Sequence, residues 1–411
     1  MAHDGFERPE RPTLPPRFAT LVLVTPTGEV VGSLPPLEVA TPWWQEAEPV
    51  VRAVRERHDL DVTLLRLLEA GPPGTQGGPV TYLAEIARPV PAHPWRGRLD
   101  EHPLRQSWAR PGGPAADLAW ADSLLSDSGR PRIAPAEQVR SWNLSSLWRL
   151  PVAGQTVWLK VVPPFFAHEG EMLARLAGGP VPALLGSDGA RVLMPEIPGE
   201  DLYHATLPQL LEMVALLVGL QQAWIGRTDE LLAIGLPDWG AQALSAKIAD
   251  VVGRTAAELS VEVRATLADF VDGLAARFEL VAACGLPDTL VHGDFFPGNA
   301  RGIGDSITLL DWGDCGVGHP LLDQAAFLDR VPSEAMPAMR DHWQRLWGLT
   351  VPGSQSEMAA TLLAPVAAAR QAVIYRMFLD NIEPSEHPYH AADPAIWLRR
   401  TAALAARSDP I

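Results

Sequence analysis

Cysteine is nearly missing: Cys284 and Cys315 are the only two in 411 residues. Two thiols cannot build a disulfide framework, and they are too few for a cysteine-based zinc site. Basic residues are also short, with 33 Lys and Arg against 49 Asp and Glu, for a net charge of −16. Nucleic-acid backbones are neutralised by clustered cations, so this balance argues against a nucleic-acid partner. No uninterrupted apolar run reaches the ~18 residues that a membrane-spanning helix needs. The start, MAHDGFERPERP, has no basic segment followed by an apolar one, and no secretory signal is expected there. The expectation is a cytoplasmic protein that engages neither membrane nor nucleic acid; its oligomeric state has no signature in the sequence.

What is present is a globular composition, 47% apolar and 20% charged. A chain this long predicts two or three domains, and its 40 prolines gather in connecting segments. After a polar, proline-rich first dozen residues, Phe18–Val24 and Val30–Leu34 flank the turn signal PTGE and predict a hairpin. Glu46–His58 has Val50, Val51 and Val54 on one helical face. Asp61–Leu68 and Val80–Ile86 predict two more strands, closing a small α/β unit near residue 87. Residues 88–140 read as a connector containing a helix over Pro114–Leu125. A β-rich unit over 141–198 follows, with a hairpin of WNLSSLWRL and TVWLKVV, a helix in HEGEMLARLAGG and the strand RVLMPEI. From residue 199 onward the pattern is mainly helical. Thr206 predicts a helix cap, Ser260 caps one long helix ending at Gly285, and Pro365 should kink or interrupt a later helix.

The stretch VHGDFFPGNARGIGDSITLLDWGD, Val291–Asp314, places polar residues in an apolar, glycine-rich run. A strand delivers His292 and Asp294 to a loop, and Asn299 follows five residues later. After a Gly-Ile-Gly-Asp turn, a second strand ends in Asp311. This hairpin brings Asp294, Asn299 and Asp311 to one sheet edge. A carboxylate and a carboxamide are hard oxygen ligands suited to magnesium. A separate carboxylate can accept a hydrogen bond from a hydroxyl and orient it for attack. Phosphoryl transfer needs these parts, because its catalysis is mainly positioning and charge neutralisation. A lone Asp or Asn in a loop is a turn former, but turn chemistry does not produce this joint spacing. His292 reads as a structural residue bonding the loop backbone, and Asp314 as a solvated loop residue or, alternatively, a second metal-side carboxylate.

HGDFFPGN followed by DWG resembles the aminoglycoside phosphotransferase and choline-kinase-like family, whose form is H-G-D-x-x-x-x-N and then a strand ending in D-[FW]. GVGHPLLDQAAF, Gly316–Phe327, is similar to that family's G-x-P-x-x-D-x-A segment. The resemblance spans roughly residues 141–400. It implies an α+β, bilobal protein-kinase-like fold with a small β-rich lobe and a mainly helical one, here preceded by the small α/β unit. It also implies ATP and Mg2+ as cofactors, Asp294 as the catalytic residue, Asn299 and Asp311 as the metal ligands, and Asp323 as a buried tie for the loop backbone. An upstream strand lysine should meet the nucleotide phosphates, and VWLKVV supplies Lys160. The E-x-x-x-L-x-x-L spacing with Leu173 and Leu176 favours Glu169 as its partner; Glu171 is the alternative.

The departures from protein kinases are informative. No G-x-G-x-x-G precedes Lys160; NLSS occupies the expected phosphate-covering turn, with Ser145 and Ser146 as candidate phosphate donors. No A-P-E follows DWG. Both differences point to a small-molecule acceptor. LMPEIPG would run between the lobes with the backbone of Glu196 and Ile197 facing adenine, although Pro195 removes one donor. Asp380, Glu383 and Glu386 read either as an exposed helix end or as contacts for an amino group. The N-terminal unit resembles a degenerate Nudix fold in which only Glu56 survives of the metal-binding carboxylates. The functional expectation is an ATP- and Mg2+-dependent phosphotransferase acting on a hydroxyl of an aminoglycoside, amino sugar, choline-like molecule or related alcohol. The alternative is a non-catalytic nucleotide-binding regulatory module.

Overall fold

The structure, a computed structural model, describes residues 14–72 and 75–407; the first dozen residues lie outside the described residues. β1 (Arg17–Val24), β2 (Val30–Ser33) and β3 (Leu37–Val39) are followed by α1 (Glu48–His58), β4 (Thr63–Glu69) and β5 (Gly78–Glu85). β1 pairs antiparallel with β2 and β3 and parallel with β5, giving the order β2-β1-β5-β4. The long apolar run of β1 follows from this position. Leu21 and Leu23 pack toward α1, while Val22 and Val24 pack with Leu65 and Leu83 on the other face. The helix starts two residues later than its apolar periodicity predicts, because Pro49 takes a first-turn position that needs no N–H partner. Glu56 is exposed on α1.

After α2 (Gly113–Asp127) comes a second antiparallel sheet. It consists of β6 (Glu137–Trp142), β7 (Ser145–Val152), β8 (Gln155–Val161), β9 (Gly186–Ser187) and β10 (Arg191–Pro195), in the order β6-β7-β8-β10-β9, with α3 (Glu169–Arg175) between β8 and β9. β6 was not visible in the sequence pattern. Trp148, Leu150, Leu159 and Val161 face a core shared with α2. The opposite face, carrying Leu147 and Lys160, looks into the cleft.

The rest is mainly helical: β11 (Glu200–Asp201), α4 (Leu207–Ala223), α5 (Thr228–Ala233), α6 (Ala241–Thr255), α7 (Val261–Asp272) and α8 (Leu274–Ala283), then β12 (Thr289–Val291), β13 (Ala300–Ile303), β14 (Ser306–Leu309) and β15 (Gly316–Gly318). α9 (Leu322–Leu328), α10 (Met336–Thr350), α11 (Ser356–Asp380) and α12 (Asp393–Ala405) complete it. Thr206 caps α4 through a reciprocal bond with Gln209. The single long helix expected after Ser260 is two helices, α7 and α8, divided at Gly273, where glycine weakens helical propagation. α11 is not interrupted at Pro365, which is buried within it. Among the described residues α11 alone has the length and apolarity of a membrane span, and it is largely buried between neighbouring helices.

The segment after α11 is tied to the first sheet by buried polar contacts. Glu383 accepts from Arg105 Nη2 at 2.9 Å and lies 3.6 Å from Arg66 Nε. Glu386 Oε1 accepts the Leu67 N–H at 2.7 Å. The expected exposed helix end is therefore corrected: only Asp380 is near the surface, paired with Arg254, whereas Glu383 and Glu386 are 6% and 4% exposed. Burial raises the Glu386 carboxyl to about 8.

Candidate active site

Two short antiparallel pairs build the site. β12 pairs with β15, and β13 pairs with β14 in a register that sets Ala300 opposite Leu309. The Leu310 N–H bonds to the Asn299 carbonyl at 2.8 Å, so Asn299 and Asp311 stand at the same end of the hairpin. Asn299 Nδ2 donates to the Asp294 backbone carbonyl and to its Oδ2, both at 2.9 Å. The three residues read from the motif are thus brought together. Asp311 has φ +61, a left-handed conformation uncommon for a residue with a Cβ; it turns the carboxylate back to Lys160.

Buried ties hold this loop. Asp323 accepts the N–H groups of His292 and Gly293 at 2.8 and 2.9 Å, and His292 Nε2 meets the Leu310 carbonyl at 2.9 Å. Gly293 has φ +92, and a Cβ there would lie 2.0 Å from the Asp314 carbonyl oxygen, so only glycine fits. Arg370 of α11, which no motif signals, donates to the Gly293 carbonyl at 3.1 Å and reaches the Asp314 carbonyl at 3.4 Å. Its guanidinium stacks on Trp239.

Across the cleft, Lys160 Nζ lies 2.7 Å from both Glu169 Oε1 and Asp311 Oδ1. Glu169 is buried and also accepts the Trp312 N–H at 3.2 Å. Glu171 is the residue not brought to the site; it pairs with Arg175 one turn along α3. The choice left open in the sequence is resolved by which face of α3 meets β8. Glu169→Gln is expected to weaken nucleotide binding at least ~10-fold, since a hydrogen bond to a buried charge contributes about 1.5–3 kcal/mol. Glu171→Gln should leave it unchanged, as equilibrium titration of the two variants will show.

The carboxylates are held in different states. Burial raises Asp294, against the pull of Arg330 3.5 Å away. The Lys160 ammonium 2.7 Å away holds Asp311, whose side chain is 50% exposed, below the usual carboxylate range. Asp314, expected to be solvated, is half-buried, and burial beside the charges of Asp294 and Asp311 pushes it well up. Its only trace in the sequence is its place three residues after Asp311.

Four expected nucleotide contacts, at Ser145, Ser146, Glu196 and Ile197, differ in detail. Ser145 and Ser146 do not form the phosphate-covering turn; they open β7, both buried, and accept the indole N–H groups of Trp142 and Trp148 at 3.0 and 2.9 Å. The turn itself is Asn143-Leu144. At the interlobe segment, the Glu196 N–H bonds to the Thr156 carbonyl at 3.0 Å and the Ile197 carbonyl accepts from Arg301 at 2.8 Å. The other two backbone groups of this pair, the Glu196 carbonyl and the Ile197 N–H, have no partner among the described residues.

A two-lobed fold with a strand lysine, a helix glutamate and an Asp–Asn–Asp set across one cleft defines a protein-kinase-like phosphotransferase. The sequence model of the phosphotransferase enzyme family matches residues 138–360. The chain belongs to that family and is a small-molecule kinase. No curated protein matches it in sequence. It is similar in fold to a choline/ethanolamine kinase family protein from Mesorhizobium loti, at 14% identity and TM-score 0.51, covering 72% of this chain and 96% of that one. A candidate aminoglycoside phosphotransferase from Ralstonia eutropha aligns at 14% identity and TM-score 0.50, over 71% and 98% of the two chains. Macrolide 2'-phosphotransferase from Brachybacterium faecium aligns at 18% identity and TM-score 0.46, over 72% and 99%.

Proposed function

We propose that this protein transfers the γ-phosphoryl group of ATP, in the presence of Mg2+, to a hydroxyl of a small molecule. The observation that carries this reading is the convergence of Lys160, Glu169 and Asp311 within single hydrogen bonds, beside the Asn299–Asp294 contact. Lys160, held by Glu169, meets the α- and β-phosphates. The unpartnered Glu196 carbonyl and Ile197 N–H offer one acceptor and one donor to the adenine edge. The residues fit magnesium: Asn299 turns its amide nitrogen to Asp294, leaving the amide oxygen, and Asp311 adds a carboxylate. Two oxygen ligands suit an ion that binds through one or two protein groups plus phosphate oxygens. When bound, Mg2+ neutralises charge on the terminal phosphates. Asp294 accepts a hydrogen bond from the acceptor hydroxyl and takes its proton as the oxygen attacks phosphorus. In-line displacement then leaves ADP and a phosphate monoester.

The likeness in fold to a choline/ethanolamine kinase family protein supports an amino-alcohol acceptor. The test is ADP release with ATP and Mg2+ over a panel of aminoglycosides, macrolides, amino sugars, choline and homoserine. Acceptor-dependent ADP release together with a phosphorylated product is the expected result. Tight ATP binding with no ADP formed over a long incubation would instead establish the non-catalytic regulatory reading.

A further inference from the structure

β6 carries a cation that the nucleotide motifs do not include. Arg140 is half-buried, and none of the described residues hydrogen-bonds or ion-pairs its guanidinium. Its direction follows from register. Arg140 stands opposite Leu147, and Leu147 opposite Lys160, so the three form one row across β6, β7 and β8. Cross-strand partners share a face, and the other face is the one that holds Trp148, Leu159 and Val161 in the α2 core. The row therefore looks into the cleft. Two strand spacings separate Arg140 from Lys160 at Cα, about 10 Å, a span that the triphosphate and the two long side chains can bridge.

Resting on the phosphotransferase reading above, we infer that Arg140 is a second phosphate-binding cation, clasping the β- and γ-phosphates from the strand that leads into the phosphate-covering turn. A guanidinium suits this task because its planar fork donates two parallel hydrogen bonds to phosphate oxygens. With Ser145 and Ser146 buried within β7 rather than presented by the turn, Arg140 supplies the contact that a glycine-rich turn provides through backbone N–H groups in protein kinases.

The N-terminal sheet gains a role from the same geometry. On either side of Arg140, the Ala47 N–H bonds to the Val139 carbonyl and the Ser141 N–H bonds to the Gln45 carbonyl, both at 3.0 Å. Gln138 exchanges two hydrogen bonds with the Leu64 backbone, at 2.8 and 2.7 Å. β6 is thus an edge strand whose outer side is fastened by residues 45–64, and that fastening sets where Arg140 points.

The test is equilibrium titration of the full chain, unsubstituted and as Arg140→Met and Arg140→Lys, with ATP, ADP and AMP in the presence of Mg2+, alongside melting temperatures without ligand. Arg140→Met is expected to weaken ATP binding ~10–100-fold and ADP binding less, and to leave AMP binding and the ligand-free melting temperature unchanged. Arg140→Lys should recover part of the ATP affinity. If the unsubstituted protein binds ATP and Arg140→Met binds it equally well, the assignment of Arg140 is overturned while the phosphotransferase reading stands. If the unsubstituted protein binds no ATP, both fall together.

Discussion

Asp294→Ala is expected to lower kcat by ~10²–10⁴-fold, the range a positioned general base contributes, with little change in ATP affinity. The loss should fall on kcat because Asp294 lies on the acceptor side of the Lys160–Asp311 pair and is bonded to Asn299 rather than to the lysine. Unchanged turnover in this variant would remove the proposed base. The pH dependence has a definite sign. Asp294 must be ionised to take a proton, and burial holds it above the ordinary carboxylate range. Activity should therefore be lost as pH falls through a value higher than that of a free aspartate. Arg330 opposes the shift from 3.5 Å away, so Arg330→Met should move this acid limb further upward. A downward or absent displacement in the kcat/KM profile would show that Arg330 does not act on Asp294.

Glu383→Ala is expected to destabilise the folded chain by about 3–5 kcal/mol, the usual cost of leaving a buried charge without its partner. Two arginines are stranded together, because Arg66 and Arg105 have side chains only 3% and 6% exposed and both face Glu383. Urea unfolding measures the loss. Replacing all three by apolar residues of similar volume, as Arg66→Met, Arg105→Met and Glu383→Leu, should recover most of it, since removing a buried ion cluster entirely is often neutral. A Glu383→Ala variant as stable as the unsubstituted protein would show that the first sheet and the segment after α11 are not coupled through these charges.

Legibility in the sequence followed the range of the contacts. The Asp294, Asn299 and Asp311 spacing was readable because all three sit on one short hairpin and its lead-in strand, and Lys160 with Glu169 because nine residues separate them along the chain. Thr206 and Ser260 were readable as caps because each acts on the adjacent turn. Ser145 and Ser146 were misplaced because the preceding strand, β6, has little apolar alternation: its outer side is filled by polar bonds to the first sheet. Asp314 looked like a loop residue because its burial depends on α11, which delivers Arg370 from 56 positions away.

By itself the sequence determined the class of chemistry, since a carboxylate, an amide and a second carboxylate at those intervals serve one purpose well. Tertiary structure alone decided that Glu169 and not Glu171 meets Lys160, that Glu383 and Glu386 are interior, and that Arg140 faces the cleft. The physical reason is that a side chain's burial and charge environment are set by whatever packs against its strand or helix. For these residues that neighbour lies anywhere from a helix face to some three hundred positions away, where no local pattern records it.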